Sequence, residues 1–374
     1  MVEVREVLCR KDRKRFFKFP IDLYRDSEYF VPNLIADEMD TFNPGHNPAF
    51  AYSECRLWLA ERNGKVVGRI GAILNKAANE KENARQLRFT RYDFVDDYEV
   101  SKALFDTAVA WARELGMTEL RGPLGFSNLD QQGMLIDGFE QMDMYITIYN
   151  YPYYKEHMER LGLEKKWDWV ERKIFCGNEV PERVARMGAL CQERYGYRLK
   201  EFKSMSEVKP YINEAMRIIN TAFEKLHGIV PLSDKQIANY TKLVMLVGNP
   251  EYCLIVTNPE DKVVAFGFMA PSISNAIRRG HGRIGPLTLI RLFEDLRDHT
   301  HLDMYMIAVR PEDHLRGIES LILGEGMRRA IRHNCADFQT GPMQEDNIKI
   351  QNVWKHWEHI IHRRRRCWTY NIPE

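Results

Sequence analysis

Residues 55–74 read CRLWLAERNGKVVGRIGAIL. Apolar and polar residues alternate on both sides of Asn63-Gly64. An Asn-Gly pair between two alternating segments is the strongest short-range signal of a β-hairpin. The stretch therefore predicts a strand, a tight turn and a second strand.

The same pattern recurs in the second half of the chain. Residues 253–257 read CLIVT, residues 258–261 are a polar turn, and residues 262–270 read KVVAFGFMA. Lys65-Val-Val-Gly68 corresponds to Lys262-Val-Val-Ala265. An internal repeat of this kind indicates two copies of one structural plan.

Each hairpin is followed by a further strand and an amphipathic helix. The strands are predicted at 87–95 and 302–309, and the helices at 99–115 and 317–333, where apolar residues recur at spacings of three and four. Short strands then lead to Gly122-Pro123 and Gly341-Pro342. This order predicts an α/β fold of two tandem domains, each a mixed, mostly antiparallel sheet flanked by helices. Chain breakers near 177–181 place the domains at residues 1–177 and 178–374.

Composition narrows the class of protein. A chain of 374 residues is typical of about two domains. The 54 Lys and Arg residues nearly balance the 53 Asp and Glu residues, so the formal charge of +1 gives no global field that would attract a polyanion. We therefore expect no nucleic-acid partner. A hydrophobic fraction of 44% fits a compact globular protein.

The sequence also bears on location. The longest stretch without charged residues, 263–277, is shorter than the ~20 residues that cross a bilayer, and residues 1–19 lack the apolar core of a signal peptide. We expect a cytoplasmic protein with no transmembrane segment. Seven scattered cysteines without a CxxC pair predict reduced thiols and no metal site. Nothing in the pattern sets the oligomeric state.

One loop carries a family resemblance. Residues 309–321 read VRPEDHLRGIESL and join the predicted strand at 302–309 to the helix that follows. With the order of elements around it, this segment resembles the GCN5-related N-acetyltransferase (GNAT) superfamily. Asn47-Pro48, residues 59–70, Trp111, Arg121-Gly-Pro123 and residues 149–154 are similar to a bacterial group of tandem GNAT-like proteins. The resemblance covers nearly the whole chain and says little about the substrate.

The resemblance implies acetyl-CoA or a longer acyl-CoA as cosubstrate, because backbone amides of such a loop and a helix N-terminus can cradle a pyrophosphate. Val309, Pro311 and Gly317 fit the family pattern, whereas His314 replaces an Arg or Gln and Glu319 replaces a small residue. The loop either still holds a CoA-type pyrophosphate or is a relic of the fold. The candidate CoA-binding residues are Val309, Arg310, His314, Arg316, Gly317, Ile318, Ser320 and Asn347.

The corresponding loop of the first copy, residues 94–100, reads FVDDYEV and has three acids and no glycine. Acids at a pyrophosphate site would repel the ligand, whereas Asp96 and Asp97 suit an N-cap and a first helical turn. The first copy is therefore predicted to bind no CoA. This asymmetry resembles other tandem GNAT proteins, in which one copy holds the acyl donor and the other helps to build the acceptor site.

Catalytic candidates are sparse. The family often uses a Tyr as general acid, but counting from Asn347 that position falls on Trp354, which has no acidic proton to give. The remaining candidates are Tyr149 and Tyr153 in the first copy and Asp303 and Glu345 in the second. Each of them equally suits a structural role in a core or a turn.

Two further segments are rich in basic residues. Residues 278–293 combine basic and apolar side chains, which would suit a surface helix, a cover for an acyl chain or peripheral contact with an anionic membrane. Residues 363–366 are four consecutive arginines before a predicted closing strand, and we expect a solvated strand end there.

The sequence thus leads to two hypotheses. The first is an acyl-CoA-dependent N-acyltransferase that transfers an acetyl or longer acyl group to a small-molecule or lipid-like amine bound between the two domains. The second is a catalytically silent binding protein that keeps the GNAT fold.

Overall fold

The computed structural model of the chain describes residues 1–373, except for the side chains of Leu243, Leu246 and Val247. The chain forms two compact units. The first unit contains residues 1–169, 274–292 and the segment from Arg363 onward, and the second contains residues 170–273 and 293–362. The predicted boundary at 177 and 178 divides the chain by its repeat and stays a prediction.

The chain up to Phe175 contains seven strands and five α-helices. Its strands are β1 (Glu3–Glu6), β2 (Ser53–Arg62), β3 (Lys65–Asn75), β4 (Gln86–Phe94), β5 (Glu119–Gly122), β6 (Met134–Asp137) and β7 (Glu164–Phe175). Its helices are α1 (Arg10–Leu23), α2 (Ile35–Thr41), α3 (Lys76–Glu82), α4 (Tyr98–Glu114) and α5 (Tyr153–Arg160).

The rest of the described chain continues the alternation. Its strands are β8 (Arg198–Leu199), β9 (Cys253–Thr257), β10 (Val263–Pro271), β11 (His301–Val309), β12 (Asp337–Thr340), β13 (Met343–Gln344) and β14 (His359–Asn371). Its helices are α6 (Glu182–Tyr195), α7 (Met205–Ala222), α8 (Asp234–Val247), α9 (Ser274–Gly280), α10 (Pro286–Asp295), α11 (Ile318–Arg332) and α12 (Ile348–Val353).

The first unit is built on the predicted hairpin around Asn63-Gly64. Asn63 and Gly64 have φ of 51° and 74°, as a two-residue primed turn requires, and β2 and β3 pair antiparallel around them. The strand order is β1-β2-β3-β4-β5-β14, and only β4 and β5 pair in parallel. Helix α4 buries Val100, Leu104 and Trp111 in the core of this unit.

The second unit repeats this order. Strands β8, β9, β10 and β11 follow one another antiparallel, β11 pairs in parallel with β12, and β12 pairs antiparallel with residues 173–175 of β7. Helix α11 buries Ile318, Ile322 and Met327 in a separate core. The predicted internal repeat and the mixed, mostly antiparallel α/β architecture are thereby confirmed.

One prediction about the first unit is wrong. The arginines at 363–366 do not form a solvated strand end, because Arg363 and Arg365 are completely buried. Arg365 donates to the Asp143 carboxylate at 2.6 Å and to the carbonyl of Ile148. Alternation along β14 directs every second side chain inward, and a buried carboxylate with nearby carbonyls compensates the desolvated charge.

No helix in the described part of the chain combines the length and the apolar character that spanning a bilayer requires.

Candidate functional site

The second unit contains an open strand edge. Strands β11 and β12 pair in parallel only from His301–Asp337 to Met304–Thr340, after which β12 ends and the Gly341 amide bonds to the Met304 carbonyl. Strand β11 continues to Val309 and pairs there only with β10. The two parallel strands therefore separate, and half-buried residues 305–307 line the opening.

A β-bulge lies at the point of separation. Met304 pairs with Met269 and Met306 with Phe268, so Tyr305 is an extra residue on β11. The Arg310 amide donates to the Val264 carbonyl on β10. Because successive residues of a strand alternate in direction, we infer that the amides of Val309 and Ile307 face the open side. Bulges of this kind often lie next to active sites, where they redirect backbone groups.

The loop after β11 presents a run of backbone amides. A short 3₁₀ turn, Pro311–Asp313, leads to Gly317, which caps α11 with φ of 82°. Within residues 1–373, the amides of residues 314–320 have no hydrogen-bond partner. The first N–H groups of a helix always lack intrahelical partners, and together they form an anion-binding end.

A buried carboxylate fixes the shape of this loop. Asp313 is 4% exposed and accepts hydrogen bonds from Tyr197 Oη at 2.5 Å, from Arg316 at 2.9 Å and from Arg310 Nε at 3.0 Å. The sequence predicts Arg310 and Arg316 as CoA-binding residues, and that role stays a prediction. The structure shows that both guanidinium groups also hold the loop in place.

The acidic residue in the loop has a partner of its own. His314 Nδ1 lies 3.1 Å from Glu319 Oε1, and both side chains are about one quarter exposed, at 24% and 25%. The Glu319 carboxylate is therefore drawn toward the imidazole. Gly317 packs closely on α6, where a Cβ atom would lie 3.0 Å from the Met187 carbonyl oxygen. Ile318 is buried behind the loop, and Ser320 is half-buried on the first turn.

In the first unit two parallel strands separate in the same way, but buried side chains occupy the space between them. Strands β4 and β5 pair only over Gln86–Arg88, and a bulge lies opposite residues 69–71 of β3. At that bulge Arg91 has φ of 46° and forms a bidentate ion pair with Glu38. Every residue of β4 is buried, in contrast to β11. The loop that follows begins α4 with Asp97 as N-cap, bonded to the Glu99 amide at 2.9 Å, which confirms its predicted structural role.

The two tyrosine candidates lie in this filled region. Tyr149 is 5% exposed and packs edge-on against Tyr24, and Tyr153 donates its hydroxyl to the Phe94 carbonyl at 2.6 Å. Burial raises the pKa of both phenols, which makes them weaker acids. Their catalytic roles stay predictions.

Sequence reasoning missed a polar cluster in the first unit. Asp93 pairs with Arg69 at 2.7 Å and accepts from Tyr24 Oη at 2.8 Å, and that hydroxyl lies 2.7 Å from Tyr154 Oη. The cluster borders a cavity of about 40 Å³. Such a volume holds a few waters and no acyl chain or nucleotide. Arg69 and Asp93 lie opposite each other on the neighbouring strands β3 and β4, and their opposite charges on two predicted strands are the signal that could have revealed the pair.

The remaining predicted residues lie in the second unit. Asp303 is completely buried on β11 and accepts from Gln339 Nε2 at 2.6 Å. Asn347 caps α12, and Glu345 lies half-buried just before it. Trp354 is 1% exposed with its indole N–H directed at the Met343 sulfur at 3.3 Å. The position expected for a tyrosine acid is therefore part of the core.

One group of side chains could hold a metal ion. Glu251, His299 and His333 each offer a ligand atom, and these atoms lie within 4.8 Å of one another. His333 Nε2 is 2.9 Å from Glu251 Oε2, so the group also forms an ordinary hydrogen bond without any ion. The expectation of no metal stays a prediction.

The chain is similar in sequence to two bacterial proteins. No protein-family model matches the chain. It is 25% identical over 299 residues to Protein YghO of Escherichia coli K12, covering 79% of this chain and 74% of that protein. It is 24% identical over 285 residues to Bacterial ceramide synthase of Caulobacter vibrioides, covering 76% and 73%.

A solved structure shares the whole architecture. A tandem GNAT protein from the clavulanic acid biosynthesis pathway superimposes with a TM-score of 0.59 over 100% of this chain and 99% of its own, at 12% identity. The chain therefore has the fold of a tandem GNAT protein, as the sequence predicted. The sequence similarity to Protein YghO and to Bacterial ceramide synthase extends over 79% and 76% of this chain.

Proposed function

We propose that this protein is an acyl-CoA-dependent N-acyltransferase whose second unit holds the acyl donor. The observation that carries the proposal is the run of unpartnered amides at residues 314–320, next to an open edge of β11. An anionic diphosphate satisfies the amides, and the amide groups of a pantetheine chain can pair with the free strand edge.

The side chains of the loop support this assignment. Arg310 and Arg316 bring two positive charges to the loop, while their bonds to Asp313 leave further N–H donors available for phosphate oxygens. Val309 and Ile318 supply backbone amides at the end of β11 and the start of α11. Ser320 on the first turn of α11 and Asn347 at the start of α12 are proposed as further polar groups that bind the cosubstrate.

The reaction is the transfer of an acyl group to an amine. The neutral amine nitrogen attacks the thioester carbonyl carbon, an amide bond forms and the C–S bond breaks. The proton released by the amine ends on the CoA sulfur. Backbone amides on the open edge of β11, at Ile307 and Val309, are placed to stabilise a developing oxyanion. Asp303, Glu345, Tyr149 and Tyr153 remain the candidates for moving the proton.

For the acceptor we propose a lipid-like amine. A ceramide is the N-acyl derivative of a sphingoid amine, and the ceramide synthase of Caulobacter vibrioides is similar to this chain over three quarters of its length. A long acyl-CoA is the matching donor. The similarity supports this substrate class.

Ligand binding is the first experiment. Thermal unfolding is followed with CoA, acetyl-CoA and palmitoyl-CoA, because a ligand that binds only the folded state stabilises it by about 2.7 kcal/mol at one hundred times its dissociation constant. We expect the transition to rise with all three, and most with palmitoyl-CoA. No shift with any of them at millimolar concentration would contradict the proposal.

Turnover is tested separately with palmitoyl-CoA and sphinganine. We expect release of free thiol and an N-acyl product detectable by mass spectrometry. The competing function, a silent GNAT-fold binding protein, is favoured by the burial of Trp354 where a general acid was expected. Binding of CoA without turnover of a panel of long-chain amines would support that second function.

A further inference from the structure

We propose that residues 278–292 form a docking surface for an anionic lipid bilayer. The surface combines the outward side chains of helix α10 and the loop before it with the cationic pocket beside α9. All of these residues belong to the first unit. The inference goes beyond the proposed activity and does not depend on it, because it concerns where the protein binds and not what it transfers.

Helix α10 has an inverted pattern of burial. Leu287, Leu289 and Ile290 are 58%, 43% and 56% exposed, and Ile284 in the preceding loop is 50% exposed. The residue that the helix buries is the polar Thr288, whose side chain packs against Gly280. A soluble surface helix normally directs its apolar residues inward. Four exposed large aliphatic side chains within residues 284–290 are typical of a site of interaction.

The segment is held in this orientation by the rest of the unit. The Gly282 carbonyl accepts a hydrogen bond from the Ile35 amide at 3.0 Å. Gly282 has φ of 73°, and a Cβ atom there would lie 2.6 Å from Ile21 Cδ1 and 2.9 Å from the Asn33 carbonyl oxygen. The close approach fixes the loop against α1 and the segment before α2, so the aliphatic side chains of α10 face outward as part of the fold.

Arginines without protein partners occur in the same segment as the aliphatic side chains. In the part of the chain that the structure describes, the guanidinium groups of Arg278, Arg279 and Arg283 have no ion-pair or hydrogen-bond partner. The Nε atom of Arg278 is also buried without a hydrogen-bond partner, which is costly unless a ligand supplies an acceptor. Buried arginines of this unit such as Arg69 and Arg91, by contrast, form ion pairs with carboxylates.

Two of these arginines, Arg278 and Arg279, line a pocket. Its volume is about 180 Å³, and its lining is Ile21, Tyr24, Arg25, Ser27, Phe30, Pro32, Arg278, Arg279 and His281. Arg25 is paired with Asp22 at 2.9 Å, so the uncommitted charges are those of Arg278 and Arg279. A phosphate group fits this volume and this charge, and aliphatic side chains alongside it can enter the acyl region of a leaflet.

The acidic residues nearest to this surface in the sequence lie beyond it, at the end of α10. Glu294 and Asp295 close α10, whereas Arg278, Arg279, Arg283 and Arg291 precede them. Residues 278–292 therefore carry positive charge alone, next to apolar side chains. A second copy of the chain would bury the aliphatic side chains but would bring the same cations together, so an anionic bilayer is the better match in charge.

Vesicle flotation tests the proposal without any substrate. The full chain is mixed with vesicles of phosphatidylcholine alone or with 30% phosphatidylglycerol, at 50 and 300 mM salt. We expect at least tenfold stronger binding to the anionic vesicles, weakened by salt. Equal binding to both vesicle types, or none to either, would overturn the proposal.

Matched variants test the aliphatic and the basic side chains of the surface separately. Leu287→Ser with Ile290→Ser should weaken binding at least tenfold, and so should Arg278→Ala with Arg279→Ala. The controls are Leu190→Ser and Arg183→Ala with Arg186→Ala, which change exposed residues of α6. The substituted side chains of the apolar variant are exposed, so its thermal unfolding should match that of the wild type.

The oligomeric state decides between occupants. Light scattering at several protein concentrations is compared for the wild type and the Leu287→Ser, Ile290→Ser variant. A dimer that the variant abolishes, together with no vesicle binding, would show that a second copy covers this face and would contradict the membrane assignment.

Discussion

His314 Nδ1 lies 3.1 Å from Glu319 Oε1 across the first turn of α11. The contact turns the carboxylate that interrupts the usual GNAT loop toward an imidazole. The neighbouring amides at 314–320 keep their hydrogens available. An acidic residue in the sequence of this loop is therefore compatible with the proposed anion site, and we expect its charge to lower the affinity of that site for an anion.

Removing the charge of Glu319 should strengthen CoA binding. Glu319→Gln keeps the length of the side chain and the capacity to bond to His314 but deletes a negative charge near the proposed diphosphate. An interaction of about 1 kcal/mol at this exposure corresponds to roughly a fivefold gain in affinity, measured by titration calorimetry. High salt should reduce the gain.

The control for this change is Glu214→Gln, which neutralises an exposed carboxylate on α7. It should leave CoA affinity unchanged. A weaker complex with Glu319→Gln would mean that the carboxylate itself takes part in binding, and the proposed role of the loop would have to be revised.

Gly317 and Gly116 offer a matched pair of substitutions. Both glycines have positive φ, 82° and 69°, so Ala costs about 1–2 kcal/mol of backbone strain at either position. Only at Gly317 would the new Cβ meet a neighbour, the Met187 carbonyl oxygen at 3.0 Å. Gly317→Ala should shift the loop and lower CoA affinity about tenfold or more, whereas Gly116→Ala should lower only the melting temperature. Equal loss of CoA affinity in both folded variants would count against the site.

Asp313 is expected to determine the conformation of the loop. Asp313→Asn removes the charge that bonds to Arg310, Arg316 and Tyr197, and it leaves two guanidinium groups without their counter-ion. We expect a loss of about 2–4 kcal/mol in the stability of the second unit, followed by thermal unfolding. Tyr197→Phe removes only one of these bonds and should cost about 1 kcal/mol. Asp313→Asn with unchanged stability and unchanged CoA affinity would contradict this role.

Acid should destabilise the first unit through Glu119. Burial of this carboxyl opposes ionisation, but hydrogen bonds from Arg121 and Thr369 outweigh it and lower the pKa to about 2. A folded-state pKa below the unfolded value stabilises the protein above the unfolded pKa, near 4.5. That contribution is lost as the pH falls toward 2.

Glu119→Gln should therefore cost about 1–2 kcal/mol at pH 7 and flatten the fall in melting temperature between pH 4.5 and 2. Glu114→Gln is the control, since that carboxylate is 65% exposed and lies 3.8 Å from Arg56. A pH profile of Glu119→Gln that parallels the wild type would show that other groups cause the acid sensitivity.

Local chemistry made most of the fold predictable. The Asn63-Gly64 turn, the period-two alternation around it and the helical spacing in α4 and α11 are properties of short segments, and each is confirmed in place. The repeat then supplied the long-range arrangement, because two copies of one pattern imply two similar sheets.

The site was less accessible to sequence reasoning. Residues 309–320 could be located because a strand, a loop and a helix occur in a fixed order. The bond between Asp313 and Tyr197 joins residues 116 positions apart, so no local pattern announces it. The burial of Arg363 and Arg365 was missed for the same reason, since their counter-ion Asp143 lies 222 positions from Arg365.

The make-up of the first unit has a consequence for how the protein is produced. Its sheet takes residues 363–371 of β14 as the neighbour of β5, and residues 274–292 also belong to it. Residues 363–371 are translated only after all residues of the second unit, 170–273 and 293–362. Until then strand β5 lacks the neighbour that β14 provides, and that edge of β5 stays unpaired. An unpaired strand edge is a site of aggregation in a nascent chain, so we expect chaperones to raise the yield of folded protein.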